Sequence, residues 1–270
     1  MLIELVFILF GLIWGSFSNA LIYRLPNRIP LTNPKRSQCP KCQNDILAKD
    51  NIPVVSWLLL KGRCRNCKTP ISFLYPLIEI MNAIAAFVSI KFFPDLPTAI
   101  LVYFLLSILI VITVIDLQHM IIPDKINKPG MIFGILVGLT NQFYQITGFP
   151  FSQSLIESAI GLVLGYGILF SIAWLYLKMS GLSGLGGGDI KMMGFIGALL
   201  GPYAVFPILI SSSFIGVFAG VLIIALKRYS FRSELPFGPS IALGIVLYIF
   251  GFDTVGIIND MTESIIANFT

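Results

Sequence analysis

Charged residues are scarce in this sequence. Lys, Arg, Asp and Glu make up 11% of its 270 residues, while hydrophobic residues make up 56% and the mean hydropathy is +0.89. Because a soluble domain contains about 25% charged residues, this composition excludes an ordinary soluble protein. We predict an all-α polytopic membrane protein with about eight transmembrane helices.

Motifs of several other protein classes are missing. The glycines at 184–188 do not follow a strand, as a dinucleotide site requires, and no Gly-Lys-Ser/Thr sequence marks a phosphate loop. Inverted repeats are typical of many transporters, and no internal repeat is visible in this sequence. The N-terminal apolar segment is not a cleavable signal peptide, because Glu4 stands at its start and no basic region precedes it.

Eight segments have the length or apolar character of a membrane span, since about 20 residues cross the hydrocarbon layer. In chain order the predicted spans are 2–22, 73–93, 98–115, 129–146, 154–177, 190–205, 207–226 and 237–252. The predicted domains are a first transmembrane helix at 1–23, an insert at 24–72, a seven-helix membrane body at 73–252 and a short external tail at 253–270.

The basic residues are distributed unevenly between the two sides that eight spans define. Of the 18 Lys and Arg residues, all except Lys91 lie in loops on one side. Since positive charge marks the cytoplasmic side, those loops should be cytoplasmic and both termini outside. The net charge of +5 then follows from membrane topology, so the predicted partner is the lipid bilayer and not nucleic acid. The four basic loops are 24–72, 116–128, 178–191 and 227–236.

All four cysteines lie in the insert, as two Cys-x-x-Cys pairs separated by 21 residues: Cys39 and Cys42, then Cys64 and Cys67. Thiolates in two such turns suit one tetrahedral Zn²⁺ ion, and a four-cysteine site leaves no open position for chemistry. We therefore predict a zinc-ribbon-like insert with a structural metal. Two disulfides are an alternative, although the predicted cytoplasmic side is reducing, and a thiol redox role would need only one pair.

Two aspartates stand at span boundaries on the cytoplasmic side. Asp116 ends the third span, and Asp189 opens the sixth after three glycines. Ionisable residues in the membrane are costly and are typical of functional sites. If the two carboxyl groups meet, they share a proton, so that the ionised group can activate a water while the protonated group polarises an amide carbonyl. The glycines would let an extended peptide backbone approach Asp189.

The same residues also permit structural interpretations. An aspartate after a glycine run is typical of a helix N-cap, and Asp189 with Lys191 could form a local ion pair. An aspartate that follows a span, such as Asp116, is often a solvated loop residue. His119, the only histidine, is better interpreted as an interfacial side chain than as a metal ligand.

Five groups of segments, in order, resemble the type IV prepilin peptidases, a family of bifunctional leader peptidases and N-methyltransferases. The resemblance runs from about Gly11 to Gly244. Each segment is weak alone, but five in this order are specific. They are GSFSNALIYRLP; SQCPKC with DNIPVVSWLLLKGRCRNC and ISFLYPLIE; IDLQHMIIPD; GLGGGDIKMMGFIGALLG; and LPFGPSIALG.

The resemblance implies roles for individual residues. Asp116 and Asp189 become the catalytic pair of a GxGD aspartic protease. The surrounding motifs supply the supporting residues Gly186, Gly188, Lys191 and the structural acid Asp124. Candidates for binding the methyl donor, for which packing and turn roles are the alternative, are Asn19, Gly62 and Glu79.

The resemblance also implies the reaction and its location. The substrates would be type IV prepilins or pseudopilins with a short basic leader, cut after Gly at the cytoplasmic face of the bacterial inner membrane. The new amine would then be methylated from S-adenosylmethionine. The alternatives are a transporter, a related peptidase without methyl transfer, which would lack the cysteine insert, and a zinc-loop scaffold, which leaves the matched acids unexplained.

Overall fold

The structure, a computed structural model, describes residues 2–32, 37–182, 184–227 and 236–251. Within these ranges the regular structure is helical, and the only extended pairings are two isolated bridges, Gln38 with Asp45 and Arg63 with Pro70. The all-α prediction is therefore confirmed for the described chain. The external tail predicted at 253–270 lies outside the described residues, as does most of the basic loop predicted at 227–236.

Nine α-helices and one 3₁₀ helix (Ala48–Asp50) are present in the described residues. The α-helices are α1 Leu2–Arg24, α2 Val55–Leu59, α3 Leu74–Phe92, α4 Leu96–His119, α5 Asp124–Tyr144, α6 Leu155–Ser180, α7 Gly187–Leu200, α8 Pro202–Lys227 and α9 Gly238–Ile249. Each of the eight predicted spans overlaps one of these helices. Five of them, α1, α3, α4, α6 and α8, are long and apolar enough to cross a membrane. The total of eight crossings stays a prediction.

The sixth predicted span, 190–205, has the wrong limits. α7 starts three residues earlier and ends at Leu200, because Gly201 adopts a φ of +83°, a backbone conformation that glycine reaches at little cost. Pro202 then opens α8, at the first helical position, where a missing N–H is harmless. With 14 residues and a length of about 21 Å, α7 is shorter than the hydrocarbon layer of about 30 Å.

The described chain divides into two compact units between Ile115 and Asp116, near the end of α4. In the first unit, α1 packs closely against α3 at a glycine, since a Cβ on Gly11 would lie 2.7 Å from the carbonyl oxygen of Asn82. A buried hydrogen bond of 2.6 Å from the Ser107 hydroxyl to Asn82 Oδ1 joins α4 to α3. Small residues and buried polar pairs of this kind are typical of helix packing in membranes.

In the second unit, α7 is the central helix. Every residue from Met192 to Leu200 is buried. Glycines of the neighbouring helices allow this close packing: a Cβ on Gly134 of α5 would lie 2.7 Å from the Leu199 nitrogen, and one on Gly165 of α6 would collide with the Met193 carbonyl oxygen. The apolar part of α7 is thus enclosed by other helices, and its N-terminal turn carries Asp189.

Candidate active site and metal centre

The two aspartates predicted to form a pair come together in the second unit. Asp116 lies in the last turn of α4 and is 5% exposed, and its Oδ2 accepts a hydrogen bond of 2.9 Å from the backbone N–H of Gly238. Asp189 lies in the first turn of α7 and is 8% exposed. The carboxyl groups of Asp116 and Asp189 interact electrostatically. Asp116 is therefore not a solvated loop residue.

The first turn of α7 does not use Asp189 as an N-cap. The N-cap is Gly186, whose carbonyl oxygen accepts a 3.1 Å hydrogen bond from the Asp189 N–H. Oδ1 of Asp189 is buried and has no hydrogen-bond partner among the described residues. Buried polar atoms are nearly always paired, so an unpaired carboxylate oxygen here is unusual.

The glycines of the motif leave room for the two acids and for their neighbours. A Cβ on Gly186 would lie 2.8 Å from Asp189 Oδ2, and a Cβ on Gly188 would lie 2.9 Å from Cβ of Ile122. Both distances are shorter than real side-chain contacts. The lack of a side chain at Gly186 therefore leaves space for the Asp189 carboxylate. The lack of one at Gly188 lets the start of α7 pack against the segment that follows α4.

Lys191 does not form the local pair with Asp189 that the sequence also permitted. Its Nζ lies 2.7 Å and 2.9 Å from the two carboxylate oxygens of Asp124, the first residue of α5. Hydrogen bonds from Lys191 and then from Lys128 hold the pKa of Asp124 below its ordinary value. The lysine of the glycine-rich motif thus ties α7 to the start of α5.

The four cysteines of the insert form a compact cluster in the first unit. They are free thiols, and their Sγ atoms all lie within 4.8 Å of one another. Cys39 Sγ and Cys67 Sγ are 3.8 Å apart, which matches the roughly 3.8 Å between sulfurs that Zn–S bonds of about 2.3 Å give in a tetrahedron. A backbone hydrogen bond from Cys42 lowers the pKa of Cys39. The cluster could therefore hold a metal ion.

The two Cys-x-x-Cys turns have the same backbone conformation. The carbonyl oxygen of Cys39 accepts from the Gln43 N–H at 2.8 Å, and that of Cys64 accepts from the Lys68 N–H at 3.1 Å. Gln43 and Lys68 have φ values of +56° and +57°, which are uncommon for residues other than glycine. Both turns have the same energetically unfavourable backbone conformation. This indicates that the need to bring four sulfurs together determines the backbone conformation of the turns.

Comparison with known proteins places both parts of the chain in one family. The model of the bacterial peptidase A24 N-terminal domain matches residues 9–93, and that of the type IV leader peptidase family matches residues 103–221. A protein of Aeromonas hydrophila named prepilin leader peptidase/N-methyltransferase is 35% identical over 264 residues, which cover 89% of this chain and 87% of the relative. This chain belongs to the type IV leader peptidase family.

Other members of the leader peptidase family are similarly close. A prepilin leader peptidase/N-methyltransferase of Burkholderia pseudomallei is 32% identical over 262 residues, covering 88% of this chain and 82% of the relative. A type 4 prepilin-like proteins leader peptide-processing enzyme of Escherichia coli is 33% identical over 258 residues, covering 89% and 91%. No solved structure is significantly similar to this chain.

Two residues near the acids of this leader peptidase family member were not predicted. Gly238 binds Asp116 through its N–H, and a Cβ on this glycine would lie 2.7 Å from Asp116 Oδ2. Asn127 is fully buried and donates a 3.3 Å hydrogen bond to the carbonyl oxygen of Gly188. The segment LPFGPSIALG was part of the family resemblance, but nothing in the sequence relates its glycine to Asp116.

The three candidates for methyl-donor binding all have structural partners in the first unit. Asn19 Nδ2 donates to the carbonyl oxygen of Tyr75 at 3.1 Å, and Glu79 Oε2 accepts from the Val54 N–H at 2.7 Å. Gly62 has a φ of +63°, and a Cβ there would lie 2.9 Å from the Trp57 ring. Packing and turn roles account for all three residues, and their role in donor binding stays a prediction.

Proposed function

We propose that this protein is a bifunctional membrane enzyme that cleaves the leader peptides of type IV prepilins and pilin-like proteins and then methylates the new N-terminus. Relatives that match along almost the whole chain are named prepilin leader peptidase/N-methyltransferase. The observation that carries the peptidase proposal is the buried pair of Asp116 and Asp189, which two separate helices bring together within the second unit.

In the proposed cleavage step, Asp116 and Asp189 share one proton. The ionised carboxylate takes a proton from a water, whose oxygen attacks the carbonyl carbon of the last Gly of the leader. The protonated carboxyl donates a hydrogen bond to the carbonyl oxygen, and a proton then passes to the leaving amine as the C–N bond breaks. The hydrogen bond from Gly238 to Asp116 fixes the orientation of one acid, while the unpaired Oδ1 of Asp189 is available for the water.

The proposed methylation uses the amine that cleavage releases. S-adenosylmethionine supplies the methyl group to the N-terminal nitrogen, which loses a proton. We assign this activity to the part of the chain that contains the cysteine insert at 24–72. Its four cysteines would hold a structural Zn²⁺ ion, because their spacing fits a tetrahedral site and leaves no coordination position for substrate.

We place the enzyme in the bacterial inner membrane as a multi-pass protein. The uneven distribution of Lys and Arg favours an arrangement in which the insert and both aspartates face the cytoplasm. A prepilin with an apolar helix in the bilayer and a basic leader inside would then present its cleavage site at the depth of the acids. This sidedness is part of the proposal, as is the external position of both termini.

The decisive experiment incubates the purified full-length protein with a prepilin and isotopically labelled S-adenosylmethionine. Mass spectrometry of the pilin N-terminus should show loss of the leader and one labelled methyl group. Asp116→Asn and Asp189→Asn should each reduce cleavage by about 10²-fold or more, because each removes one proton-transfer group. The matched control is Asp45→Asn, which changes an acid of the insert whose side chain accepts a hydrogen bond from Gln38 and should leave cleavage unchanged.

A pilin supplied without its leader separates the two activities. Both Asp→Asn variants should still methylate it, because its amine is already free. Normal leader cleavage by either variant would contradict the proposed mechanism, and a lack of methyl transfer by the wild-type protein would contradict the second activity.

Metal analysis tests the proposed zinc site. The purified wild-type protein should contain about one Zn²⁺ per chain, as a site of four cysteines binds one ion. Cys39→Ser with Cys67→Ser should lose that zinc and make the insert sensitive to protease, since structural zinc supplies folding free energy. A wild-type protein that is free of zinc after purification without chelators would contradict this assignment.

A further inference from the structure

The short helix α2 in the insert exposes an apolar face. The exposed fractions of Val55, Leu58 and Leu59 are 47%, 61% and 77%, and their spacing places them on one side of the helix. The neighbouring Ser56 is buried, and its hydroxyl donates to the Lys49 carbonyl oxygen at 3.0 Å. Exposed apolar residues next to one another usually mark a surface that contacts another apolar phase.

One hydrogen bond joins the start of α2 to α3, and a second joins α2 to the segment before α3. Glu79 Oε2 accepts from the backbone N–H of Val54, directly before α2, at 2.7 Å. Trp57 within α2 donates from Nε1 to the carbonyl oxygen of Ile71 at 3.1 Å. Glu79 is in the second turn of α3, about 7.5 Å along the helix from its first residue. α2 therefore lies beside the first turns of a helix that is long and apolar enough to cross a membrane.

Exposed basic residues flank α2 in the sequence. Lys49, Lys61 and Arg63 are all exposed and lie just before or just after α2. The nearby acid Asp50 forms a bidentate ion pair with Arg65 at 2.6 Å and 2.7 Å, and a weaker electrostatic interaction with Lys49. Apolar side chains flanked by Lys and Arg are typical of segments that lie in the interface of an anionic bilayer.

We propose that residues 49–61 form an interfacial membrane anchor, in which Val55, Leu58 and Leu59 enter the boundary of the acyl chains and Lys49 and Lys61 contact anionic lipid headgroups. The anchor rests on the multi-pass membrane location given above and is independent of both enzymatic activities. Glu79 is a positioning residue in this arrangement, because it connects the anchor to a membrane helix. The anchor holds the cysteine insert against the bilayer.

Photocrosslinking in nanodiscs tests the anchor directly. The photoreactive residue benzoylphenylalanine is incorporated at Leu59 in the full-length protein, and at Asn44, an exposed residue of the first cysteine turn, as the control. After illumination, mass spectrometry should find several-fold more lipid adduct at position 59 than at position 44. Zinc content equal to that of the wild type shows that both labelled proteins keep a folded insert.

The lipid composition tests the headgroup contact. The yield at position 59 should be higher in nanodiscs that contain phosphatidylglycerol than in nanodiscs of phosphatidylcholine alone, and Lys49→Gln with Lys61→Gln should remove that difference. Equal lipid yields at positions 59 and 44, or crosslinks from position 59 to protein in place of lipid, would overturn the proposal. A yield at position 59 that is the same in both lipids would overturn the headgroup contact.

Discussion

Two classes of acid in the second unit differ in how their charge is stabilised. Asp124 faces two lysines and has a side chain that is 43% exposed, so that solvent and ion pairing together stabilise its charge. Asp116 and Asp189 are buried beside each other without a basic partner among the described residues. Burying a carboxyl group without a counter-charge is costly, and folding stability does not require it here. That cost is typical of a catalytic pair.

The ion pair of Asp124 and Lys191 should contribute modestly to stability, and its contribution should depend on pH. The pKa of Asp124 is lowered from 3.8 in the folded protein, mainly by Lys191. The ion pair therefore contributes its full stabilisation above the unfolded-state pKa of 3.8. That contribution disappears as the pH falls through the lower folded-state pKa. Because both side chains are partly exposed, we expect Asp124→Asn to cost about 1 kcal/mol or less at neutral pH.

Thermal unfolding in detergent at several pH values measures this contribution. The difference in midpoint between wild type and Asp124→Asn should be present at pH 6 to 7 and shrink below about pH 4. Lys128→Met is the control for the weaker partner, which lies 3.2 Å from Asp124 and is 67% exposed, and it should have the smaller effect. A difference that grows on acidification would contradict the assigned pairing.

At the scale of elements, α7 is positioned by its neighbours from end to end. Its length is buried against glycines of α5 and α6, and its first turn is held by the Lys191 ion pair and by the hydrogen bond from Asn127 to Gly188. An acid in this turn has a fixed backbone even though it lies at a helix end. Preorganised carboxyl groups are what a shared-proton mechanism requires.

Two adjacent glycines in the first turn of α7 provide a matched test. A Cβ on Gly188 would collide with Ile122, whereas a Cβ on Gly187 would have nothing within 4 Å. Gly188→Ala should cost about 1–3 kcal/mol through overpacking and should reduce leader cleavage strongly, because the turn that carries Asp189 must move. Gly187→Ala should leave both cleavage and the thermal midpoint close to wild type.

The result of this comparison is informative in either direction. If Gly188→Ala retained full cleavage, the close approach of α7 to Ile122 would not position Asp189. If Gly187→Ala lost cleavage as well, the need for glycine would come from the approach of the substrate backbone and not from packing within the protein.

For the whole molecule, the membrane topology decides on which side the chemistry takes place. Within the residues that the structure describes, five helices have the length and apolarity of membrane spans, and the buried α7 is too short to be identified as a span by length alone. The predicted orientation therefore depends on the charge of the loops, which follows the positive-inside rule.

Fusions to alkaline phosphatase, which is active only outside the cytoplasm, test this orientation. Fusions after Asp95, after Phe149 and after Thr270 should be active, while those after Asn44 and after Lys178 should be inactive. A fusion after Thr270 that is inactive, with the others as expected, would mean that the chain crosses the membrane an odd number of times. An active fusion after Asn44 would place the cysteine insert outside and would contradict the cytoplasmic site.

The sequence by itself determined the membrane class, the helical content, the two cysteine pairs and the identity of the two acids. These features are local: apolar runs have the length of a span, two Cys-x-x-Cys pairs provide four thiols, and Asp116 and Asp189 stand in recognisable motifs. The limits of α7 were missed because Gly201 ends it by backbone conformation within an otherwise apolar run.

Only the tertiary structure decided which atoms meet. Asp116 accepts a hydrogen bond from a backbone N–H at the start of α9. Lys191 pairs with Asp124 and not with Asp189, which is closer in the sequence. Such pairings depend on how helices pack, since a helix presents each side chain in a direction that composition does not specify. Packing also left one oxygen of Asp189 without a partner among the described residues, and no local pattern in the sequence could have shown which carboxylate oxygen that would be.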